Sequence, residues 1–324
     1  MAEESGLLAA YLLDGNGGGK QLEWCDVKSW TPDAGTLWVH LDYTDPETAK
    51  WLEEDSDLDP TVAAALTADE TRPRSVTIHG GILVTLRGVN LNPGSDPEDM
   101  VAIRIWVDAH RIITTRHRRV KAVETVRASL AAGDGPKSSS EVLVELADAL
   151  NSRIGTILTE LDDRVDELED EILGSESYEL RAKIGSLRRE TISLRRYLAP
   201  QRDAVARLQN ERVEWLDDIN RAHLREIADR TTRYVEDLDS ARDRAAVSQD
   251  ELNSRLSERM NKTMFVLSIV AGIFLPLGLL TGLLGINVGG IPGTESPFAF
   301  IVVCAILVVV AVLQLVLFKR MRWL

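Results

Sequence analysis

Residues 263–293 read TMFVLSIVAGIFLPLGLLTGLLGINVGGIPG and hold no charged side chain. Met264–Leu284 alone gives 21 uncharged, mostly apolar residues. A bilayer core roughly 30 Å thick needs about 20 helical residues, so this run predicts a membrane-spanning helix over 263–284. Phe298–Phe318 is a second run of the same length and reads as an all-apolar span facing lipid. Only residues 285–297 lie between them, which makes a two-helix transmembrane hairpin. Arg255, Arg259 and Lys262 precede the first span, and Lys319, Arg320 and Arg322 follow the second, in the basic tail 319–324. The loop carries Glu295 alone. Positive charge stays on the cytoplasmic side, so both termini are expected in the cytoplasm and 285–297 outside. The protein is expected to be multi-pass, in a cell inner membrane or plasma membrane.

Upstream, no proline or glycine occurs between Glu211 and Ala271. A helix beginning near Leu216 can therefore run into the first span, reaching roughly 100 Å at about 1.5 Å per residue. Its cytoplasmic part has an apolar seam at Leu224, Ile227, Thr231, Tyr234, Leu238, Ala241, Ala245 and Leu252. A second stripe recurs every seven residues: Asp250, Ser257, Met264, Ala271 and Gly278, interleaved with Ser254, Asn261, Ser268, Leu275 and Gly282. Nearly all of these side chains are small or polar. Such a stripe either packs helices closely or lines a hydrated path. Its continuation through Asp250 and its end beside Asn287 favour the path. Two helices cannot enclose a hydrated ion, so several copies must assemble, with the first span inside, and symmetry turns each lining residue into a ring. Asn287 then becomes a ring of amide carbonyls at the outer mouth. It presents partial negative charge to a cation, through retained hydration water, without trapping it as a carboxylate ring would. Met264 and Leu275 are apolar constrictions able to gate by dewetting.

The rest of the chain reads as a cytoplasmic α+β body. Residues 1–135 alternate short strands and helices, with strands expected at Leu37–Leu41, Gly81–Val89, Val101–Val107 and Arg111–Thr115. Helices are expected at Pro46–Glu53, capped by Asp45, and at Pro60–Thr67. Gly133–Pro136 marks a boundary, and a helical region fills 141–262. Ile154, Leu158, Leu161, Val165, Leu168 and Ile172 form a heptad-like seam. Glu160, Asp162, Asp163, Asp166, Glu167, Glu169, Asp170 and Glu171 make the outer face acidic; it is a solvated face or a cation-gathering one. Gly174–Ser177 ends this helix, and a basic-rich one around Arg181–Tyr197 follows as its antiparallel partner, kinked or interrupted at Pro200.

Composition narrows the function. The formal net charge is −14, and residues 1–262 hold 34 basic against 50 acidic side chains. Nucleic acid wants a basic footprint, so it is not an expected partner; an acidic body suits cations, or simply solubility. The two cysteines, Cys25 and Cys304, do not make a disulfide framework, and the N-terminus lacks the basic start of a secretory leader. GNGGGK at 15–20 has three residues, not four, before its Gly-Lys pair and Gln21 after it, so it is a turn rather than a phosphate loop. His110 and His117 flank a strand and make only an imaginable zinc pair. No arrangement of catalytic side chains stands out, so no enzyme is expected.

The first span with Pro276, the triplet Gly285-Ile286-Asn287 and the short loop after it together resemble the CorA family of divalent-cation transporters. The magnesium branch has Gly-Met-Asn at the triplet. Gly-Ile-Asn followed by VGGIPG, with ALTADETRPR at 65–74, Leu86-Arg87-Gly88 and Leu198-Ala199-Pro200, is similar to the zinc-transporting branch. The resemblance implies a homopentamer shaped as a cytoplasmic funnel, with an inner ring of five first spans. It implies an outer selectivity mouth at Gly285, Ile286 and Asn287, and a path lined by Asp250, Asn261, Met264, Leu275, Gly278 and Gly282. The expected function is divalent-cation transport, zinc uptake first, with no resident cofactor. Magnesium, cobalt or nickel as cargo, and a membrane-anchored sensor or scaffold, are the alternatives. No carboxylate or histidine lies within the spans to mark a proton relay.

Overall fold

A computed structural model describes residues 6–69, 72–174, 178–285 and 296–321. In chain order the elements are β1 (Leu7–Leu13), β2 (Gly19–Gln21), α1 (Trp24–Ser29), β3 (Leu37–Asp42), α2 (Pro46–Lys50) and α3 (Pro60–Leu66). The strands β4 (Arg74–Ile78), β5 (Gly81–Gly88), β6 (Val101–Val107) and β7 (Arg111–Arg116) follow. Then come the helices α4 (Lys121–Ala132), α5 (Ser139–Gly174), α6 (Tyr178–Leu208), α7 (Asp218–Leu284) and α8 (Ala299–Arg320). The chain divides into two compact units, residues 1–249 and 250–324.

In the first unit the seven strands make one sheet in the order β2-β1-β3-β7-β6-β5-β4. Every pairing is antiparallel except β3 with β7, where Leu37 lies opposite Arg111 and Asp42 opposite Arg116. Strand side chains alternate between faces, and here both faces are apolar because both are covered. Trp38, Ile82, Val84, Leu86, Ile103, Ile105 and Ile112 point into one core with Val126, Leu146, Leu150, Leu208, Leu224 and Ile227. Their strand neighbours Leu37, Val39, Leu41, Leu83, Trp106 and Ile113 enter the other, with Val27, Trp51, Val62 and Leu66. The body is therefore an α+β domain of three layers.

Local chemistry sets the joints. Asp45 accepts the N–H groups of Glu47 at 2.9 Å and Thr48 at 3.1 Å, capping α2 behind Pro46. Asp59 caps α3 in the same way through Thr61, at 2.7 Å. Gly133 ends α4 with φ of 82°, a left-handed turn that glycine adopts without a side-chain clash. The GNGGGK stretch forms the β1–β2 connection. There the Asp14 carboxylate accepts N–H groups from Asn16 and Gly18, at 2.7 and 3.0 Å. Those bonds hold its carboxyl below the ordinary value.

The long helices pair as their charges direct. Arg164 of α5 meets Glu190 of α6 at 2.7 Å, and Lys183 of α6 meets Glu171 of α5 at 2.8 Å. Arg195 of α6 reaches Asp239 of α7 at 2.6 Å. Arg244 of α7 gathers Asp162 at 2.9 Å and Glu169 at 2.7 Å, and also contacts Asp166. These pairs neutralise part of the acidic face on α5, while Glu160, Asp163, Glu167 and Asp170 stand in solvent. The solvated reading of that face therefore fits better than a cation trap. The α5 seam residues are all buried; on the α7 seam, Tyr234 alone is half-buried.

Of the two outcomes expected at Pro200, interruption does not occur: α6 continues to Leu208 with Pro200 inside it. A proline removes one helical hydrogen bond, and the helix runs on past that gap. Next to Pro200, the buried Gln201 accepts the Arg87 N–H at 2.6 Å, tying α6 to β5.

Candidate pore-lining face

The second unit contains residues 250–284 of α7 and the whole of α8. Both helices are long and apolar enough to cross a membrane. Their facing seam follows from which residues are partly covered. On α7 these include Ile269, Gly272, Ile273, Leu277 and Leu280; on α8 they include Val303, Leu307, Ala311, Gln314 and Phe318. Gly272 is a point of contact across the seam. A β-carbon added there would lie 2.9 Å from Phe318 Cζ, so any larger residue would push the tip of that ring aside.

The small-residue stripe lies elsewhere on α7. At 100° per residue, Met264, Ser268, Ala271, Leu275, Gly278 and Gly282 fall roughly opposite the α8 seam. Asp250, Ser254, Ser257, Asn261, Met264, Ser268, Leu275, Gly278 and Gly282 are all exposed, and Ala271 is half-covered. A β-carbon added to Gly278 or Gly282 would meet nothing within 4 Å. The two kinds of glycine on this helix thus have different surroundings: Gly272 serves a contact within the chain, whereas Gly278 and Gly282 border open space. Ser257, exposed, donates to the Asn253 carbonyl at 2.9 Å. Thr281 donates to the Leu277 carbonyl at 3.0 Å. Gly285 closes the helix, its N–H bonding the Thr281 carbonyl at 2.9 Å.

Of the expected mouth, only Gly285 falls among the described residues; Ile286, Asn287 and Glu295 lie outside them. The second span, expected to be all-apolar, is not so throughout. Gln314 sits in it, on the seam with α7, and its Oε1 is buried without a hydrogen-bond donor. A single amide in a long run of valine and leucine leaves the hydropathy of the span almost unchanged, so only its position on the helix distinguishes it.

Among the described residues, no group of three or more His, Cys, Asp or Glu side chains is placed to hold a metal ion. His110 and His117 are both exposed at opposite ends of β7. Seven residues at about 3.3 Å each separate them by roughly 20 Å, too far for one zinc ion. Cys25 and Cys304 are free.

The CorA-like Mg2+ transporter family model matches residues 33–320. The chain is 41% identical to the divalent cation transporter CmaX of Pseudomonas aeruginosa, over 99% of this chain and 98% of that one. It is 38% identical to the zinc transport protein ZntB of Yersinia pseudotuberculosis, over 97% of this chain and 95% of that one. The solved structure of full-length CmaX superposes with a TM-score of 0.87 at 38% identity, covering 100% of both chains. The CorA magnesium transporter of Methanocaldococcus jannaschii superposes with a TM-score of 0.82 at 19% identity, over 98% of this chain and 99% of that one. At that identity the likeness is one of fold.

Proposed function

This chain belongs to the CorA-like Mg2+ transporter family, and from that premise we propose that it carries zinc across the membrane through a conduit walled by α7. The observation that carries this reading is the open face of α7. Gly278 and Gly282 border empty space, while Phe318 of α8 stands against Gly272 on a different face of the helix. A face of small side chains turned away from its own hairpin partner suits the inner wall of a ring of copies. The ring is a homopentamer in an inner or plasma membrane, with both termini cytoplasmic and α8 outermost.

A hydrated zinc ion meets the Asn287 amides at the mouth with Gly285 and Ile286, and retains water as it enters. It then passes Gly282, Gly278, Leu275, Ala271, Ser268 and Met264. Below them, Asn261, Ser257, Ser254 and Asp250 offer oxygen atoms to its hydration shell. The apolar rings at Leu275 and Met264 close the path when dewetted. Zinc as cargo rests on the similarity to proteins named zinc transport protein ZntB and divalent cation transporter CmaX.

Uptake of radioactive zinc into proteoliposomes tests the proposal, with magnesium, cobalt and nickel as competitors. Zinc transport that an excess of magnesium leaves intact is expected. Transport of magnesium in preference to zinc would reassign the cargo. Asn287→Ala should abolish uptake with the oligomer intact, and normal uptake by that variant would remove the mouth from the mechanism.

A further inference from the structure

The Gln314 amide lies in the apolar hairpin, where neither lipid nor aliphatic side chains can satisfy it. Its Oε1 is buried and has no donor. Across the seam, Pro276 lies inside α7. Proline has no N–H, so the carbonyl four residues earlier, that of Gly272, loses its helical donor. Phe318 of α8 stands against Gly272. The helices of a hairpin run antiparallel. Gln314, one turn before Phe318, therefore stands level with the turn between Gly272 and Pro276. Gly272 has no side chain to shield that carbonyl from its neighbours. A half-turn about the last side-chain torsion of Gln314 exchanges Oε1 for the NH2 group. The two deficits, a carbonyl without a donor and a buried amide without a partner, then cancel.

We propose that Gln314 donates an amide N–H to the Gly272 carbonyl that Pro276 leaves free, so that it latches α8 to α7 at the proline of the first span. Gln314 is a positioning residue in this role. It fixes α7 where Pro276 removes a helical hydrogen bond, within the segment that carries Leu275 and Gly278. The structural part of the proposal stands independently of the transport reading; its effect on flux rests on that reading.

A double-mutant cycle tests the latch in the full-length protein. Gln314→Met keeps the side chain's length and removes the amide. It is expected to lower the thermal midpoint in detergent by several degrees. Pro276→Ala restores the helical donor to Gly272, and in that background Gln314→Met should be neutral or stabilising. Equal effects of Gln314→Met in both backgrounds, or stabilisation in the native one, would overturn the proposal. Should Gln314→Met not assemble, Gln314→Glu provides the second variant. Neutral in the apolar seam, its carboxylic acid keeps one donor and is expected to retain most of the native midpoint; a midpoint insensitive to adding Pro276→Ala would overturn the latch. In zinc uptake, Gln314→Met should lower the maximal rate several-fold at an unchanged half-saturating concentration. Loss of the coupling refutes the latch, whereas an absence of zinc flux in the unmodified protein refutes the transport reading alone.

Discussion

Replacing Gly272 and Gly278 by leucine, one at a time, separates packing from permeation on a single helix. At Gly272 the new β-carbon begins 2.9 Å from Phe318 Cζ and 3.6 Å from Cε2. Carbon atoms settle about 3.5–4.0 Å apart, so the ring must retreat by about 0.6 Å or more before the rest of the leucine is placed. Overpacking of this kind costs about 1–3 kcal/mol. Removing a helical glycine returns up to about 1 kcal/mol. With that full return the net loss is about 0–2 kcal/mol, a fall in Tm of up to roughly 8 °C at about 2–4 °C per kcal/mol. At Gly278 nothing is displaced, so the same substitution leaves the midpoint of the single chain unchanged or slightly raised. Its effect falls on transport instead, because every copy in the ring adds an isobutyl group to the conduit. The assay pairs thermal unfolding in detergent with zinc uptake in proteoliposomes. Gly272→Leu is expected to lose stability, and Gly278→Leu to lose flux while folding and assembling normally. Native flux through Gly278→Leu would refute the pore-lining assignment. Loss of assembly in Gly278→Leu would favour the scaffold reading, with the stripe as a helix–helix contact.

Two further outcomes concern the cytoplasmic body. His40 is buried on β3 with Nδ1 2.9 Å from Thr114 Oγ1, and burial, aided by Arg116 and Arg127, pushes its pKa down to about 3. The unfolded chain therefore binds a proton below about pH 6.5 that the folded one does not. Stability should fall as pH drops from 6.5 towards 3, with a loss of about 2 kcal/mol by pH 5; a His40→Gln variant that keeps the same slope in pH-dependent unfolding would contradict this. Arg244→Ala should destabilise residues 1–249 by about 1 kcal/mol, less at high salt, because Asp162, Asp166 and Glu169 lose a shared partner on a largely solvated face. No change in a low-salt denaturation midpoint would show that the cluster contributes nothing.

Much of this architecture is legible in the sequence because burial imposes periodicity. The seam from Ile154 to Ile172 and the strands around Trp38, Ile82, Ile105 and Ile112 announce themselves through it. The edges of the sheet do not. The strand β1 is a short apolar run near the N-terminus whose role appears only when it pairs with β3. The edge strand β4 is largely solvent-facing and polar, so no alternation marks it. At Pro200 the sequence leaves kink and interruption both open, because a local helix rule cannot anticipate the contact of Gln201 with Arg87. In the second unit, sevenfold spacing identifies the stripe from Asp250 to Gly282. The distinction between Gly272 and Gly278 is invisible in one dimension, because it depends on where α8 lies. Gln314 is missed for the related reason that a single amide matters only through what it faces.

Cysteine scanning along residues 264–282, after replacing Cys25 and Cys304 with serine, tests the central claim most directly. Each variant is treated in sealed proteoliposomes with a small cationic thiol reagent, with and without zinc. Reactivity should peak at 264, 268, 271, 275, 278 and 282, and zinc should protect those positions. Peaks at 269, 273 and 280, or no labelling at the stripe in any state, would contradict the account.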